Sequence, residues 1–517
     1  MANSDIVVES APKTKRVNPV SAWVDKVFHV SERGGTIASE IGSGIASALI
    51  ASCALIVNTR LIGSSYGNNA GAYLAATILS LLGTLLLGII FNRPVIQISN
   101  LVISASVVSM LGTYEGLTYS NIMMITFFSA LIYLGIVVSP LGKSIVSILP
   151  SGVKKALPIG VGLFTIIVAF KNSGILSSVG SLTTTASLTG MKKYILFLLF
   201  LGIALYVVLK VFKEKKASFR IWGVLLGLMW VGGILFFMST FVGGQTAAVV
   251  VYERLNVFFA TDGAQPYNIG LGFASIHWGS LFTSGFDFSA VKAAGGNPGL
   301  IIIQGLLTFI ALGMYSNVAN LHATAASGDF LLEDGSVENE RKAYLITASL
   351  NVVAPLIGMT PTSIGSESGI ATDNEAKTGL SSVVASLGFL IGMFSWVIFA
   401  LTATSTNGVG MWIESSETKL AAYVNDVFAF SDLVMIFVGA SMLKGFKTLD
   451  YKDAGEMIPF VITLIALLVS GNYALAVSLG VLSNALVNLV AKKWDAFKIP
   501  NLVLDGALLV YVIFALI

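Results

Sequence analysis

The chain has 517 residues, of which 55% are hydrophobic and 11% charged, with a formal charge of +3 and a mean hydropathy of +0.85. A soluble chain carries about 25% charged residues, so a water-soluble globule is excluded, as are a disordered chain and, with Lys and Arg scattered, a nucleic-acid binder. The single cysteine, Cys53, excludes a disulfide framework, and His29, His277 and His322 lie too far apart for metal-ligand spacing, so no metal or cofactor is expected.

In chain order, residues 1–35 are polar and basic and lack the apolar stretch of a signal peptide. They read as a cytoplasmic tail with a short amphipathic helix near Trp23 to Val30. From Glu40 onward, apolar runs alternate with short polar breaks. Spans of about 20 apolar residues are predicted near 40–58, 70–90, 95–111, 120–140, 156–170, 192–212 and 219–241. A second set follows near 300–326, 342–357, 364–376, 380–403, 430–444, 455–470 and 473–491. The apolar stretch 501–517 carries Asp505 and either crosses or lies in the interface.

Positive charge collects on cytoplasmic loops. With the N-terminus inside, 23 of the 30 Lys and Arg fall inside and 7 outside. The chain is thus expected to be an all-α, multi-pass protein of a cell membrane, plasma or bacterial inner, with a cytoplasmic N-terminus. Its divisions are a tail (1–35), a first repeat (36–241), an extracytoplasmic connection (242–299), a second repeat (300–499) and a C-terminal apolar segment (500–517). Seven spans per half force the halves into opposite orientations, the inverted-repeat arrangement of secondary transporters.

Such proteins bind substrate on broken helices at corresponding places in the two halves. The third span of the first half reads Pro94-Val95-Ile96-Gln97-Ile98-Ser99-Asn100. Its counterpart, the tenth span overall, reads Thr360-Pro361-Thr362-Ser363-Ile364-Gly365-Ser366-Glu367-Ser368-Gly369. Two half-helices meeting by their N-termini make a positive-ended pocket, with backbone donors around Ser99 and Gly365–Ser366, suited to a planar polar heterocycle or a small anion. Glu367 closes a charge-free run that starts at Ala343. A carboxylate at membrane depth points to function, here binding substrate N–H groups and exchanging a proton; the other reading is a helix-end cap or ion-pair partner. In the eighth span, Ser316 and Asn320 share a helix face and Asn317 borders it, as substrate contacts or as helix–helix glue. His322 reads as structural, Asn58 as a cap at the end of the first span, and Lys171-Asn172 as a helix terminus.

Several blocks resemble the AzgA-like purine permeases. They are Ser31-Glu32-Arg33-Gly34-Gly35-Thr36 with Glu40 to Gly44 and Ile56-Val57-Asn58, then Leu149-Pro150 through Ile175. Gly358 through Ser368 with Lys377-Thr378-Gly379-Leu380, and Asp450 through Pro459, complete the set. The resemblance implies a nucleobase–cation symporter of the xanthine/uracil permease superfamily, with fourteen spans in a seven-plus-seven inverted repeat. Spans 1–4 and 8–11 would form a core domain, and spans 5–7 and 12–14 a gate domain that mediates homodimers in resembling proteins. A short extended segment would precede each half-helix, and adenine, guanine or hypoxanthine would be carried, usually with protons. Glu367 matches the family's substrate-binding glutamate. The chain departs from the pattern at Ser316, which stands where the family has an acidic residue. It departs again at Ile364-Gly365-Ser366 in place of Thr-Tyr-Ile, and at Lys377 in place of arginine.

The candidate substrate-binding residues are therefore Glu367, Ser366, Gly365, Ser368, Ser99, Asn100, Ser316, Asn317 and Asn320, with Glu367 also the coupling group. The expected partners are a small nucleobase, protons or another cation, and the lipid bilayer. No Walker motif or nucleophile–base constellation is present, so the protein is not expected to be an enzyme. The alternatives are an anion transporter or channel-like conductor on the same fold, and a non-transporting membrane sensor.

Overall fold

The computed structural model describes residues 19–67, 69–139, 150–172, 269–332, 336–394, 449–470 and 473–494, together with Leu443, Phe446 and parts of 505–513. The spans expected at 192–212 and 219–241, most of 430–444, the end of 380–403 and the start of the long connection lie outside the described residues.

The amphipathic segment is helix α1, Pro19–Phe28, with Val20 and Trp23 exposed and Phe28 buried. Helix α2, Ile37–Tyr66, starts at a capping box in which Thr36 Oγ1 accepts the Ser39 N–H and Ser39 Oγ accepts the Thr36 N–H. It runs well past the predicted end at residue 58 and stops at Gly67, whose φ of 85° suits a glycine C-cap. Asn58 is therefore not a terminal cap. It is fully buried inside the helix, because no proline or glycine interrupts the turn that follows it.

Helix α3, Asn69–Leu86, ends in a π-helical turn, Leu87–Phe91, and Asn92 in the left-handed region turns the chain. Strand β1 is Gln97–Ser99, followed by α4, Leu101–Thr113, and α5, Tyr119–Val138. Helix α6 is Ser151–Asn172, and the residues after it lie outside those described. The described part of the long connection holds three short helices: α7, Ile269–Ala274; α8, Ser280–Ser284; and α9, Ser289–Ala293. Helix α10, Pro298–Ser327, is capped by Asn297, whose Oδ1 accepts the N–H groups of Gly299 and Leu300. Helix α11, Glu340–Val353, tightens into a 3-10 turn, Ala354–Ile357. Strand β2, Thr362–Ile364, precedes the short α12, Ser368–Asp373, and α13, Leu380–Phe394. The last helices are α14, Ala454–Ser470, and α15, Tyr473–Val490.

Among the described helices, Ala70–Phe91, Tyr119–Val138 and Pro298–Ser327 are long and apolar enough to cross a bilayer. The chain is a helical, multi-pass membrane protein, and a single antiparallel strand pair is the only sheet among the described residues.

The helices pack in two groups. In the larger group α2, α3, α4 and α13 pack together, as do α5, α10 and α11, around an apolar core that continues into the second group through Val153, Leu467, Ala476, Val477 and Val481. The smaller group is α6, α14 and α15, with its own cluster of Ala156, Ile159, Leu449 and Phe460. Helix α10 touches α6 and α15 and so borders both groups. In the larger group, the buried Glu40 carboxylate of α2 accepts the N–H groups of Lys377 (2.7 Å), Thr378 (2.9 Å) and Ser381 (3.2 Å). The Ser381 N–H is one of the donors that a helix start leaves over, here that of α13, and the other two belong to the turn before it. In the smaller group, Lys155 pairs with Glu456 at 2.7 Å and ties α6 to α14.

Candidate functional site

Each broken span begins with residues that cannot continue a helix. Pro94 and Pro361 lack the N–H a helix interior needs, and the chain after each runs extended for three residues. The two extended pieces pair antiparallel, Gln97 with Ile364, Ile98 with Ser363 and Ser99 with Thr362. This pairing joins elements more than 260 residues apart and places the starts of α4 and α12 beside it.

Neighbouring helices satisfy the polar groups left by so short a pair. Val95 N–H donates to Ser382 Oγ (2.9 Å) and Ile96 N–H to Ser368 Oγ (3.0 Å), while Gly365 N–H donates to Ile96 O (2.9 Å). Thr362 N–H donates to Asn351 Oδ1 (2.8 Å), and Gln97 Nε2 donates to Thr362 Oγ1 (2.6 Å). From α10, Asn317 Oδ1 accepts the Ile364 N–H (2.8 Å), and Asn320 Nδ2 donates to Ile364 O (2.7 Å). Asn317 Nδ2 in turn donates to Gly313 O (2.6 Å) and reaches Tyr133 Oη at 3.4 Å. Asn100 Nδ2 donates to Ser316 Oγ (2.9 Å) and Ser363 Oγ (2.7 Å).

Glu367 precedes α12 and is 8% exposed. Its carboxylate accepts from Ser366 Oγ at 3.2 Å, and no Lys, Arg or His lies within ion-pair distance among the described residues. A Cβ at Gly365 would meet Glu367 Oε2 and Ile98 Cγ1, both at 2.9 Å, so a glycine is what lets the carboxylate fold back over the strand pair. Three further polar atoms near this pair are buried with no partner among the described residues: Ser99 Oγ, Gln97 Oε1 and Asn320 Oδ1. Among the described residues no group of three His, Cys, Asp or Glu is placed to hold a metal ion.

All nine candidate residues thus gather at the strand pair, but not in one role. Asn100 and Ser366 are partly exposed, and with Glu367 they form the open part of the cluster. Asn317 and Ser368 are fully buried and occupied with backbone, and Asn320 is buried with its amide nitrogen on Ile364 O. The expectation that the Gly365 N–H is a free donor is corrected, since Ile96 O already takes it. His322 lies apart, its Nε2 at 3.1 Å from Glu340 Oε2. Gln97, Thr362, Ser363 and Asn351 also belong to the cluster; Asn351 lies outside both broken segments, where only its buried amide in an apolar run marks it.

No protein-family model matches the chain. It is similar to the guanine/hypoxanthine permease PbuO of Bacillus subtilis, 21% identical over 494 residues, covering 94% of this chain and 99% of that protein. It is also similar to the adenine permease AdeQ of Escherichia coli K12, 19% identical over 487 residues, covering 93% of this chain and 94% of that protein. Among solved structures, it is similar to the transmembrane domain of the cyanobacterial bicarbonate transporter BicA, with 13% identity and a TM-score of 0.47, covering 85% of this chain and 96% of that one. The likeness to permeases over nearly the whole chain bears out the resemblance carried by the motifs: the chain is similar to purine permeases along most of its length.

Proposed function

We propose that this protein is a secondary active transporter that imports a purine-like nucleobase across the cell membrane with protons. The observation that carries the reading is Glu367. It is a nearly buried carboxylate without a cationic partner among the described residues, lying where the breaks of two distant spans meet. Such a group is costly in a membrane unless a ligand or a proton satisfies it. Guanine offers a ring and an exocyclic N–H group on one edge, and a carboxylate accepts two such bonds side by side.

In this reading Glu367 accepts the N–H groups of the base, while Ser366 and Asn100 meet its other polar atoms. Ser99 and Ser316 stand behind Asn100, and Asn317, Asn320 and Ser368 hold the strand pair in place. Glu367 exchanges a proton as its surroundings change between the two sides of the membrane, and this exchange is the proposed coupling of the base to protons. The larger helix group is the core domain and the smaller one part of the gate domain, and movement of one against the other exposes the site alternately to each side. The antiparallel strand–helix units support the inverted repeat. The exposed stripe Ile458, Val461, Ile465 and Val469 on α14 offers the gate a face for a second copy. A carboxylate as the open group disfavours the anion-transporter reading, since it would repel the cargo.

The test is uptake of radiolabelled adenine, guanine and hypoxanthine in cells lacking their own purine permeases. A hydrogen bond to a charged group is worth about 1.5–3 kcal/mol, so Glu367→Gln is expected to lower uptake roughly ten- to hundredfold at equal protein level. Unchanged uptake in that variant would sink the assignment.

A further inference from the structure

We infer that residues 269–293 are inserted in the lipid bilayer, in the outer leaflet of the expected orientation, with their aromatic side chains among the acyl chains. Length and position mark this stretch as part of an aqueous connection, yet it carries only two charged residues, Asp287 and Lys292. Ile276, Leu281, Phe288 and Val291 are buried against the bundle. Trp278 (62% exposed), Phe282 (60%) and Phe286 (57%) point away from it. An exposed aromatic face marks an interaction surface, and tryptophan with phenylalanine is the apolar side of segments that lie in a membrane.

The depth of the segment follows from its contacts. The Phe282 ring lies 6.0 Å from that of Phe127, and the Phe286 ring 6.3 Å from that of Phe128. Both partners are on α5, which starts at Tyr119. At about 1.5 Å per residue they lie roughly 12–14 Å along that helix. A helix of 20 residues just spans the apolar core of a bilayer. The two rings therefore sit below the end of a spanning helix and not beyond it. The flank of α5 continues the same exposed apolar surface through Phe128, Leu131 and Ile132, which is why lipid, and not a second protein, is the occupant assigned here.

The backbone of the segment is treated as backbone in a membrane has to be. Irregular chain at that depth persists only where protein groups take its polar atoms. Asn121 Nδ2 donates to Gly285 O and Asp287 O, both at 2.9 Å. Gly279 N–H donates to Leu356 O (2.7 Å), and His277 N–H donates to Tyr66 Oη (3.0 Å).

The experiment compares wild-type protein with Trp278→Phe in phospholipid vesicles, the difference in emission being that of Trp278. Lipids brominated along their acyl chains are expected to abolish this emission, and aqueous iodide to leave it unchanged. Quenching by iodide without quenching by bromolipid overturns the inference, because the segment then lies in water. Resistance to both overturns it equally, because protein then covers the face. Should Trp278→Phe fail to fold, a spin label at Phe282→Cys in a Cys53→Ser background separates the same outcomes: relaxation by oxygen supports insertion, and relaxation by a water-soluble nickel chelate excludes it. None of these readouts depends on which substrate is carried.

Discussion

Asn317 separates the two jobs that a polar residue in a membrane helix can do. Its carbonyl oxygen holds the Ile364 N–H and its amide nitrogen the Gly313 carbonyl, so little of it is left over for a ligand. Asn317→Ala would leave the Ile364 N–H buried without a partner, at a cost of about 1–3 kcal/mol. The expected outcome is a lower apparent melting temperature in detergent, for the empty protein and the purine-loaded one alike. Glu367→Gln is the converse case: the empty protein melts unchanged or higher, and stabilisation by added purine disappears, because only a ligand bound to the native state raises its stability. Loss of purine stabilisation in Asn317→Ala without loss of intrinsic stability would reverse the two roles. Both amide atoms of Asn58 are buried and have no partner among the described residues.

Among the elements, the turn that leads into β2 is held by the outer connection together with α2 and α5. His277 stacks on Tyr66 at 4.3 Å, Tyr66 Oη donates to Ile357 O (3.1 Å), and Tyr119 Oη donates to Gly358 O (2.8 Å). Gly358 has a φ of 69°, and a Cβ there would come within 2.7 Å of His277 Cβ, so the turn and the stack require each other. Burial lowers the His277 pKa below its ordinary 6.5. Undocked, the imidazole binds a proton that it does not hold when docked. The contact is therefore complete above that value and weakens as pH falls through it. Hydrogen exchange of residues 355–360 is expected to speed up between pH 7.5 and 5.5, beyond the intrinsic change, in wild type and not in His277→Phe, within the range where histidine alone titrates. Equal pH responses in the two proteins would exclude His277 as the cause.

This element also shows what can be read from the residues alone. Pro94 and Pro361, each with a polar run behind it, mark both breaks, and Glu367 stands out as a charge in an apolar stretch. What periodicity does not carry is partnership. Whether Gly365 N–H is free depends on Ile96, and whether Asn317 or Asn100 is open depends on how α10 lies across β2. Helix α2 outruns its predicted end for a related reason: a polar residue marks a helix end only if a terminator follows, and Gly67 comes much later than Asn58.

For the whole molecule, the question is which groups of helices move as units. Ties within the larger group are dense and polar: Glu40 on the start of α13, Tyr73 Oη on Gly392 O at 3.0 Å, and the strand pair with its asparagines. The smaller group has its own tie in Lys155–Glu456, and its helices approach closely at Gly152 and Gly480. Breaking either set would leave buried polar groups unpaired, whereas sliding apolar α10 past α6 and α15 costs little of that kind. Domain movement is therefore expected between the groups and not inside them. Spin labels at Leu131 on α5 and Ile465 on α14, both exposed, should report a distance distribution that shifts when purine is added to vesicles. Labels at Leu131 and Leu387, both in the larger group, should not shift. A purine-dependent change in the second pair, with none in the first, would place the moving boundary inside the core and would dissolve the division on which alternating access at Glu367 rests.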